Sequence, residues 1–408
     1  MMDNVFLLLA VAALAGLWGA KGARALRTPQ VVGYVIVGVI LGPTLLGLYS
    51  PQNVQFLDVL NKPALAIIGF IIGGELRYAE LKKLGRAIGF IVILEAIGAF
   101  LLVAAGVYLL TGKMHEALLL GALSSATAPA GTVDILREYK AKGPLTTTLY
   151  AVVGLDDAIA LILYGFTMPI AMILIDPAAH FSITGALLVP LLQILASLAV
   201  GVAIGALLAQ AMRVVHSPAE TLAVGMGAVF LCCAAAQAYE GLSLILANMA
   251  LGATLLNWKP MHGLRVKTAL DNFAPPLFVA FFVMVGARLD INGAMLVALG
   301  PIVLLYVVLR SAGKTMGCII GGALGGAEGN VKRYVGYGLL SQAGVAIGLS
   351  LAINSRLTPL GGDKAELGHK IISVITVTTF VVQILGPPFL RHALLKTGEG
   401  RAPTAAKG

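Results

Sequence analysis

The run from about Leu149 to Ile175 is apolar and long enough to cross a bilayer as a helix, yet it carries two adjacent carboxylates, Asp156 and Asp157. An acid at mid-depth in hydrocarbon costs about 2.5–3.5 kcal/mol on insertion scales, so such groups face a bundle interior or a water-filled cavity. Neighbouring residues on a helix point about 100° apart, so the two carboxylates cannot meet the same neighbour. One can line a cavity while the other meets a partner inside the bundle, which suits binding of a cation and a proton in turn. The structural alternative is a static pair buried against Arg or Lys.

The surrounding sequence repeats this apolar character. Of the 408 residues 59% are hydrophobic and 12% charged, whereas soluble domains carry about 25% charged residues. The chain is therefore read as an all-α polytopic membrane protein. Thirteen spans are expected, the first running to about residue 20. The others lie at about 29–49, 62–77, 86–111, 115–136, 144–175, 183–212, 217–238, 241–257, 272–288, 293–323, 331–354 and 370–390. Residues 1–392 then form one transporter unit, and 393–408 a short tail.

The net charge of +9 does not point to nucleic acid, because the basic residues sit in short loops. With the N-terminus outside, the inside loops hold twenty Lys and Arg and the outside loops six, with Arg310 and Lys314 left inside span 11. That bias predicts an inner-membrane protein with its N-terminus outside and C-terminus in the cytoplasm. The first residues contain Asp3 and lack a basic region, so the first span is read as retained. Cys232, Cys233 and Cys318 all lie in apolar segments, and the six histidines have no ligand spacing. Neither a disulfide framework nor a metal or haem cofactor is implied.

An internal repeat is present. Phe70-Ile-Ile-Gly73-Gly74-Glu75-Leu76 echoes Val283-Met-Val-Gly286-Ala287-Arg288-Leu289, Glu95 holds the place of Arg310, and Gly121-Ala-Leu-Ser124 matches Gly338-Leu-Leu-Ser341. Seven spans separate the partners, so the copies are inverted in the membrane, as in secondary transporters.

The repeats place two interruptions in register. Span 5 is broken at Ser124-Ser125-Ala-Thr127-Ala-Pro129, because Pro129 lacks the N–H that the Ser125 carbonyl needs. Freed carbonyls at membrane depth are tolerated where they line a cavity. With the hydroxyls of Ser124, Ser125 and Thr127 they are suitable oxygen ligands for a hard cation. In span 12 the counterpart is Ser341-Gln342-Ala-Gly344, which lacks proline. Lys314, halfway along span 11, needs an acid partner, for which Asp156 or Asp157 is expected. Glu95 and Arg310 are expected to form a structural pair between the repeats.

These residues together resemble the monovalent cation:proton antiporters of the second group, and most of all the NapA-type sodium/proton antiporters. The Asp156-Asp157 pair with Lys314 is the specific part. The broken span, Phe70-x-x-Gly-Gly-Glu75-Leu, and Phe273-Ala-Pro-Pro-Leu-Phe278 with Gly286-Ala-Arg-Leu-Asp290 are shared with Kef-type potassium/proton exchangers. The resemblance implies a homodimer with a core domain of crossed broken helices, assigned to spans within 62–175 and 272–390. It also implies a dimerisation domain within 2–49 and 183–257. It implies that Asp157 carries cation or proton and that Asp156 pairs with Lys314 when no cation is bound. Sodium or lithium would sit at Asp157 and Asp156, with Thr127 as a further oxygen, and exchange would be electrogenic. Some relatives place an acid at the span-5 crossover; this chain has none there. The small residues of span 1 (Ala12, Ala13, Ala15, Gly16, Gly19) are the expected dimer contact.

Three other readings stand beside this one. A potassium/proton exchanger of the same fold differs by a few oxygens and the cavity width. A sodium-coupled symporter for an organic anion would want more polar residues at the crossing. An intramembrane enzyme would need a constellation that is missing here, since the two aspartates share one helix and no Ser–His set accompanies them. The chain is therefore expected not to be an enzyme.

Overall fold

The computed structural model describes residues 5–26, 28–49, 58–175, 183–239, 242–287 and 293–401. Arg27, Arg288, Lys407 and the Arg288-Leu-Asp290 end of the motif above lie outside the described residues. Every regular element among those described is helical. In chain order they are α1 (Val5–Ala25), α2 (Gln30–Leu41), α3 (Asp58–Glu75), α4 (Tyr78–Thr111), α5 (Met114–Ser125) and α6 (Pro129–Glu138). Next come α7 (Pro144–Ile175), α8 (Ile183–Ala211), α9 (Pro218–Ala238), α10 (Leu244–Trp258) and α11 (Pro260–Ala287). The last are α12 (Gly293–Gly325), α13 (Gly329–Tyr334) with a 3-10 turn at Val335–Leu339, α14 (Gly344–Leu357) and α15 (Gly362–Thr397).

Among the described residues nine segments are long and apolar enough to cross a membrane, with α5 and α6 counted together, and three shorter apolar helices accompany them. With α3 they account for the thirteen expected spans. Several helices outrun the apolar stretch that announced them. α4 begins at Tyr78 rather than near 86, α11 at Pro260 rather than near 272, and α15 runs from Gly362 to Thr397 rather than 370–390. The extensions are polar, and hydropathy alone does not mark them. Starts are set by local chemistry: Ser217 and Glu220 form a capping box before α9, and the Ser243 hydroxyl accepts from the Leu246 N–H (3.3 Å) at α10.

The chain divides into two compact units. The first comprises residues 1–23, 33–85 and 191–288. In it α10 lies along α3, with backbones close enough that a Cβ on Gly252 or Gly73 would meet the Phe70 or Met249 carbonyl. Gly38 and Gly286 bring α2 and α11 together in the same way. The Asn257 amide bridges the α3–α4 link, donating to Leu76 O (2.9 Å) and accepting from Tyr78 N (2.8 Å), and Lys267 pairs with Glu75. Packing thus groups α3 and α11 with this unit, whereas the sequence-based division put them in the core. The small residues of α1 are also used here. Ala12 and Gly16 are buried, with Gly16 against Val279 and Gly19 against Gly33, while Ala15 is half-buried and Ala13 exposed, so the five do not form one outward stripe. The outward face of α1 also carries the larger Phe6, Leu14, Leu17 and Trp18.

The second unit comprises residues 24–32, 86–190 and 289–408 and holds the Asp pair. Its organising contact is between α4 and α12. Gly313, Gly317, Gly321 and Gly325 recur every fourth residue and so form one stripe. A Cβ on Gly313 would lie 2.5 Å from the Gly98 carbonyl oxygen, and one on Gly321 2.6 Å from that of Phe90. The two backbones meet along this stripe, which sets Glu95 of α4 beside Lys314 of α12. Against α12 pack α5, α13, the 3-10 turn and α15, with α7 alongside α5 and α15 alongside α14.

Candidate functional site

Both interruptions foreseen in the sequence are real breaks. Helix α5 stops at Ser125, Ala126 and Ala128 adopt extended backbone (ψ 139° and 100°), and Pro129 starts α6 at its first position. The second break has no proline. After α13 the chain tightens into the 3-10 turn, residues 340–343 are irregular, and α14 begins at Gly344. The two unwound stretches touch: the Ala128 N–H donates to the Ser341 carbonyl (2.9 Å), and the Thr132 hydroxyl to the Gly338 carbonyl (2.7 Å).

The carbonyls released by the breaks are taken by side chains. Arg310 donates from Nε to Ser124 O (3.0 Å), from Nη1 to Leu340 O (2.5 Å) and from Nη2 to Ala126 O (2.8 Å). It is wholly buried, and its charge sits where α5 and the 3-10 turn present their negative ends. The expected Glu95–Arg310 pair is therefore corrected. A planar fork of donors matches several converging carbonyls, and Arg310 serves these rather than a carboxylate. Gln342 donates to Leu123 O (2.7 Å) and Tyr306 Oη (2.9 Å), and Gln383 of α15 donates to Gln342 O (3.0 Å).

Glu95 belongs instead with Lys314. The Lys314 Nζ donates to Glu95 Oε2 (2.5 Å), to Ser125 O (2.6 Å) and to Asp156 Oδ2 (3.3 Å), and all three side chains involved are fully buried. The Ser125 carbonyl, which lost its helical donor to Pro129, thus accepts from the ammonium. The Ser124 and Ser125 hydroxyls donate to Gly121 O and Ala122 O at 2.6 Å each, which leaves the lone pairs of their oxygens available as acceptors.

Several buried oxygens of this unit remain open, five of them on residues already singled out from the sequence. Both carboxylate oxygens of Asp157, Oδ1 of Asp156, Oε1 of Glu95 and the Thr127 hydroxyl are buried without a hydrogen-bond partner. Buried polar atoms in native proteins are nearly always satisfied, so such a group calls for something to fill it. Carboxylate and hydroxyl oxygens are hard donors suited to an alkali cation, a water or a proton. Asp157 stands apart from Asp156 because the turn of α7 sends the two in different directions, and only Asp156 meets the lysine.

Of the residues singled out from sequence, the structure gathers Asp156, Lys314, Glu95 and Ser125 into one network and Arg310, Ser124, Ser341 and Gln342 into a second. The roles of Tyr306, Thr132 and Gln383 were missed. Gln383 carried a signal, being an amide within the last apolar span.

Comparison with known proteins places the chain in a family. The family described as "Sodium/hydrogen exchanger, transmembrane" matches residues 9–392. The Na(+)/H(+)-K(+) antiporter GerN of Bacillus cereus is 24% identical over 389 residues, covering 90% of each chain. The probable Na(+)/H(+) antiporter GerT of the same organism is 32% identical over 148 residues, 35% of this chain and 38% of its own. Among solved structures, the sodium proton antiporter MjNhaP1 of Methanocaldococcus jannaschii superposes with a TM-score of 0.74 at 16% identity, over 95% of this chain and 96% of that one. With two broken helices meeting beside a buried Asp pair, and a family match across nearly the whole length, the chain belongs to the sodium/hydrogen exchanger family of secondary transporters.

Proposed function

We propose that the chain exchanges sodium or lithium for protons by alternating access, and that Asp157 is the group at which the two compete. The observation that carries this is the contrast within the Asp pair: Asp156 is held by Lys314, while both oxygens of Asp157 are buried and unpartnered. A carboxylate accepts a proton or a cation but not both at full strength. Either occupant neutralises it, so loaded states can change sides while the empty charged carrier cannot, and exchange follows without a separate coupling device. Asp156 and Thr127 supply further oxygens to the cation, and its arrival draws Asp156 away from the ammonium.

A second reading is potassium/proton exchange, favoured by the potassium in the name of the relative GerN. It differs in cavity width and not in mechanism. The proposal places the protein in a bacterial inner membrane, N-terminus outside, as a homodimer whose contact includes the apolar outward face of α1. It also includes electrogenic exchange, with Asp157 and the Lys314 ammonium as the two proton-bearing groups.

The test is proton flux in proteoliposomes with sodium, lithium and potassium added in turn. Asp157→Asn is expected to abolish exchange for every cation, because an amide neither titrates nor supplies charge. Retained sodium-driven flux in that variant removes Asp157 as carrier. A wild-type rate indifferent to an imposed membrane potential removes the electrogenic part alone, and failure to crosslink through α1 removes the proposed dimer face.

A further inference from the structure

The sequence offers no cap for α7, the helix that bears the Asp pair. Gly143 precedes it without a side chain, and Pro144 at its first position has no N–H, so the first donors needing acceptors are Leu145 and Thr146. Their acceptor comes from the far end of the chain. Glu399 Oε1 accepts from Leu145 N (2.8 Å), and Oε2 accepts from Thr146 N (2.8 Å) and the Thr146 hydroxyl (2.7 Å).

The contact is built on both sides. Helix α15 ends at Thr397, Gly398 turns the chain through left-handed backbone (φ 73°), and Gly400 N donates back to Leu394 O (3.1 Å). The reversed segment then pairs with the link between α6 and α7: Lys142 N donates to Glu399 O (2.9 Å) and Arg401 N to Tyr139 O (2.8 Å). A side chain at Gly143 (φ 149°) would collide with the Glu399 carboxylate. Residues 398–401 therefore hold the end of α6 and the start of α7 together. α6 descends from the crossing at Thr127–Pro129, and α7 rises to Asp156 and Asp157.

We infer that Glu399 is a positioning residue for ion exchange, acting through α7 on Asp157; this rests on the exchange reading above. The carboxylate lies about 18 Å along the helix from Asp157, and a helix end's own field fades within its first turn. The influence is therefore mechanical. Helices transmit axial and rotational displacement along their length, and a slip of one residue in α7 would swing Asp157 by about 100° about the helix axis. With the carboxylate in place, α7 keeps one register against α6.

The experiment uses the full chain in proteoliposomes, with sodium KM, maximal rate and thermal melting measured for Glu399→Ala, Glu399→Gln and Glu399→Asp. We expect Glu399→Ala to raise the sodium KM about three- to tenfold with the maximal rate within about twofold, in keeping with lost support to a ligand. Glu399→Gln should fall between, since its amide keeps one acceptor, and Glu399→Asp should recover most of the affinity. Thr146→Val, which removes only the hydroxyl bond, should shift KM the same way by less. An unchanged KM in Glu399→Ala overturns the inference. So does a lowered melting temperature with unaltered KM, which would make the tail a fastening of the fold alone. In the same vesicles, wild type must show sodium-dependent proton flux and Asp157→Asn must not. If that pair fails, the exchange reading falls, whatever Glu399 does.

Discussion

Arg310 is the residue on which the crossing most depends, and its removal can be sized from its contacts. Its guanidinium serves five carbonyls, with Ser124 O, Ala126 O and Leu340 O at 3.0, 2.8 and 2.5 Å the three shortest and Ser341 O and Leu339 O at 3.4 and 3.5 Å. In Arg310→Met the three nearest become buried acceptors without donors, at about 1–3 kcal/mol each. Against this stands the desolvation of a fully buried guanidinium, which the variant no longer bears. Breaking a buried charged network by removing one partner costs about 3–5 kcal/mol net, and we expect that range. Arg310→Lys should lie between, since an ammonium lacks the planar fork that reaches several carbonyls at once. The assay is thermal melting of purified protein in detergent by size-exclusion recovery, with the exposed Arg356→Met as control. Arg310→Met should lose its monodisperse peak many degrees below wild type, while Arg356→Met should follow wild type. If the two variants melt together, the guanidinium does not hold the broken helices and the account of the crossing is wrong.

Three further outcomes are expected. Gly317→Ala should destabilise by about 1–3 kcal/mol and lower exchange, because its Cβ would meet the Leu94 carbonyl and the Glu95 backbone; Gly89→Ala, with open space around it, should cost nothing. Equal melting of the two would undo the glycine-stripe account of α4 and α12. Thr127→Val removes a buried hydroxyl that has no partner, so the fold should be unharmed or steadier while the sodium KM rises about tenfold, the loss of one oxygen contact to the cation being comparable in size to that of a charge-assisted hydrogen bond; an unaltered KM takes Thr127 out of the site. Glu95→Gln leaves Lys314 its bonds to Asp156 and Ser125 O, so the protein should fold, but the ammonium then leans on Asp156 and sodium affinity should fall several-fold. Flux measurements at varied sodium check this, and an unchanged affinity would make Glu95 purely structural.

Much of the fold was legible because hydrocarbon is a severe solvent. Apolar run lengths, loop charges and the inverted placement of Gly121-Ala-Leu-Ser124 against Gly338-Leu-Leu-Ser341 suffice to read thirteen spans and two breaks. Pro129 announced the first break through its missing N–H. The second, at 340–343, could be read only by repeat symmetry, since its chemistry lies in partners from other helices. The polar ends of α4, α11 and α15 escaped for the opposite reason: outside the bilayer, hydropathy no longer reports on helix.

Among the charges, the sequence by itself determined which groups must be buried, and it did not determine which would meet. Asp156, Asp157, Glu95, Arg310 and Lys314 were identifiable because each is costly in an apolar span. Arg310 and Lys314 sit one turn apart on the same face of α12, and nothing local says which reaches a carboxylate and which reaches carbonyls. The tertiary structure decided it. The Gly313–Gly325 stripe sets the depth at which α4 meets α12, bringing Glu95 to Lys314 and leaving the guanidinium to the severed ends of α5 and the 3-10 turn. The capping of α7 by Glu399 is equally a tertiary fact. A helix start without its own cap can be seen in Gly143-Pro144, but the acceptor that completes it lies some 250 residues away, and only the folded chain brings the two together.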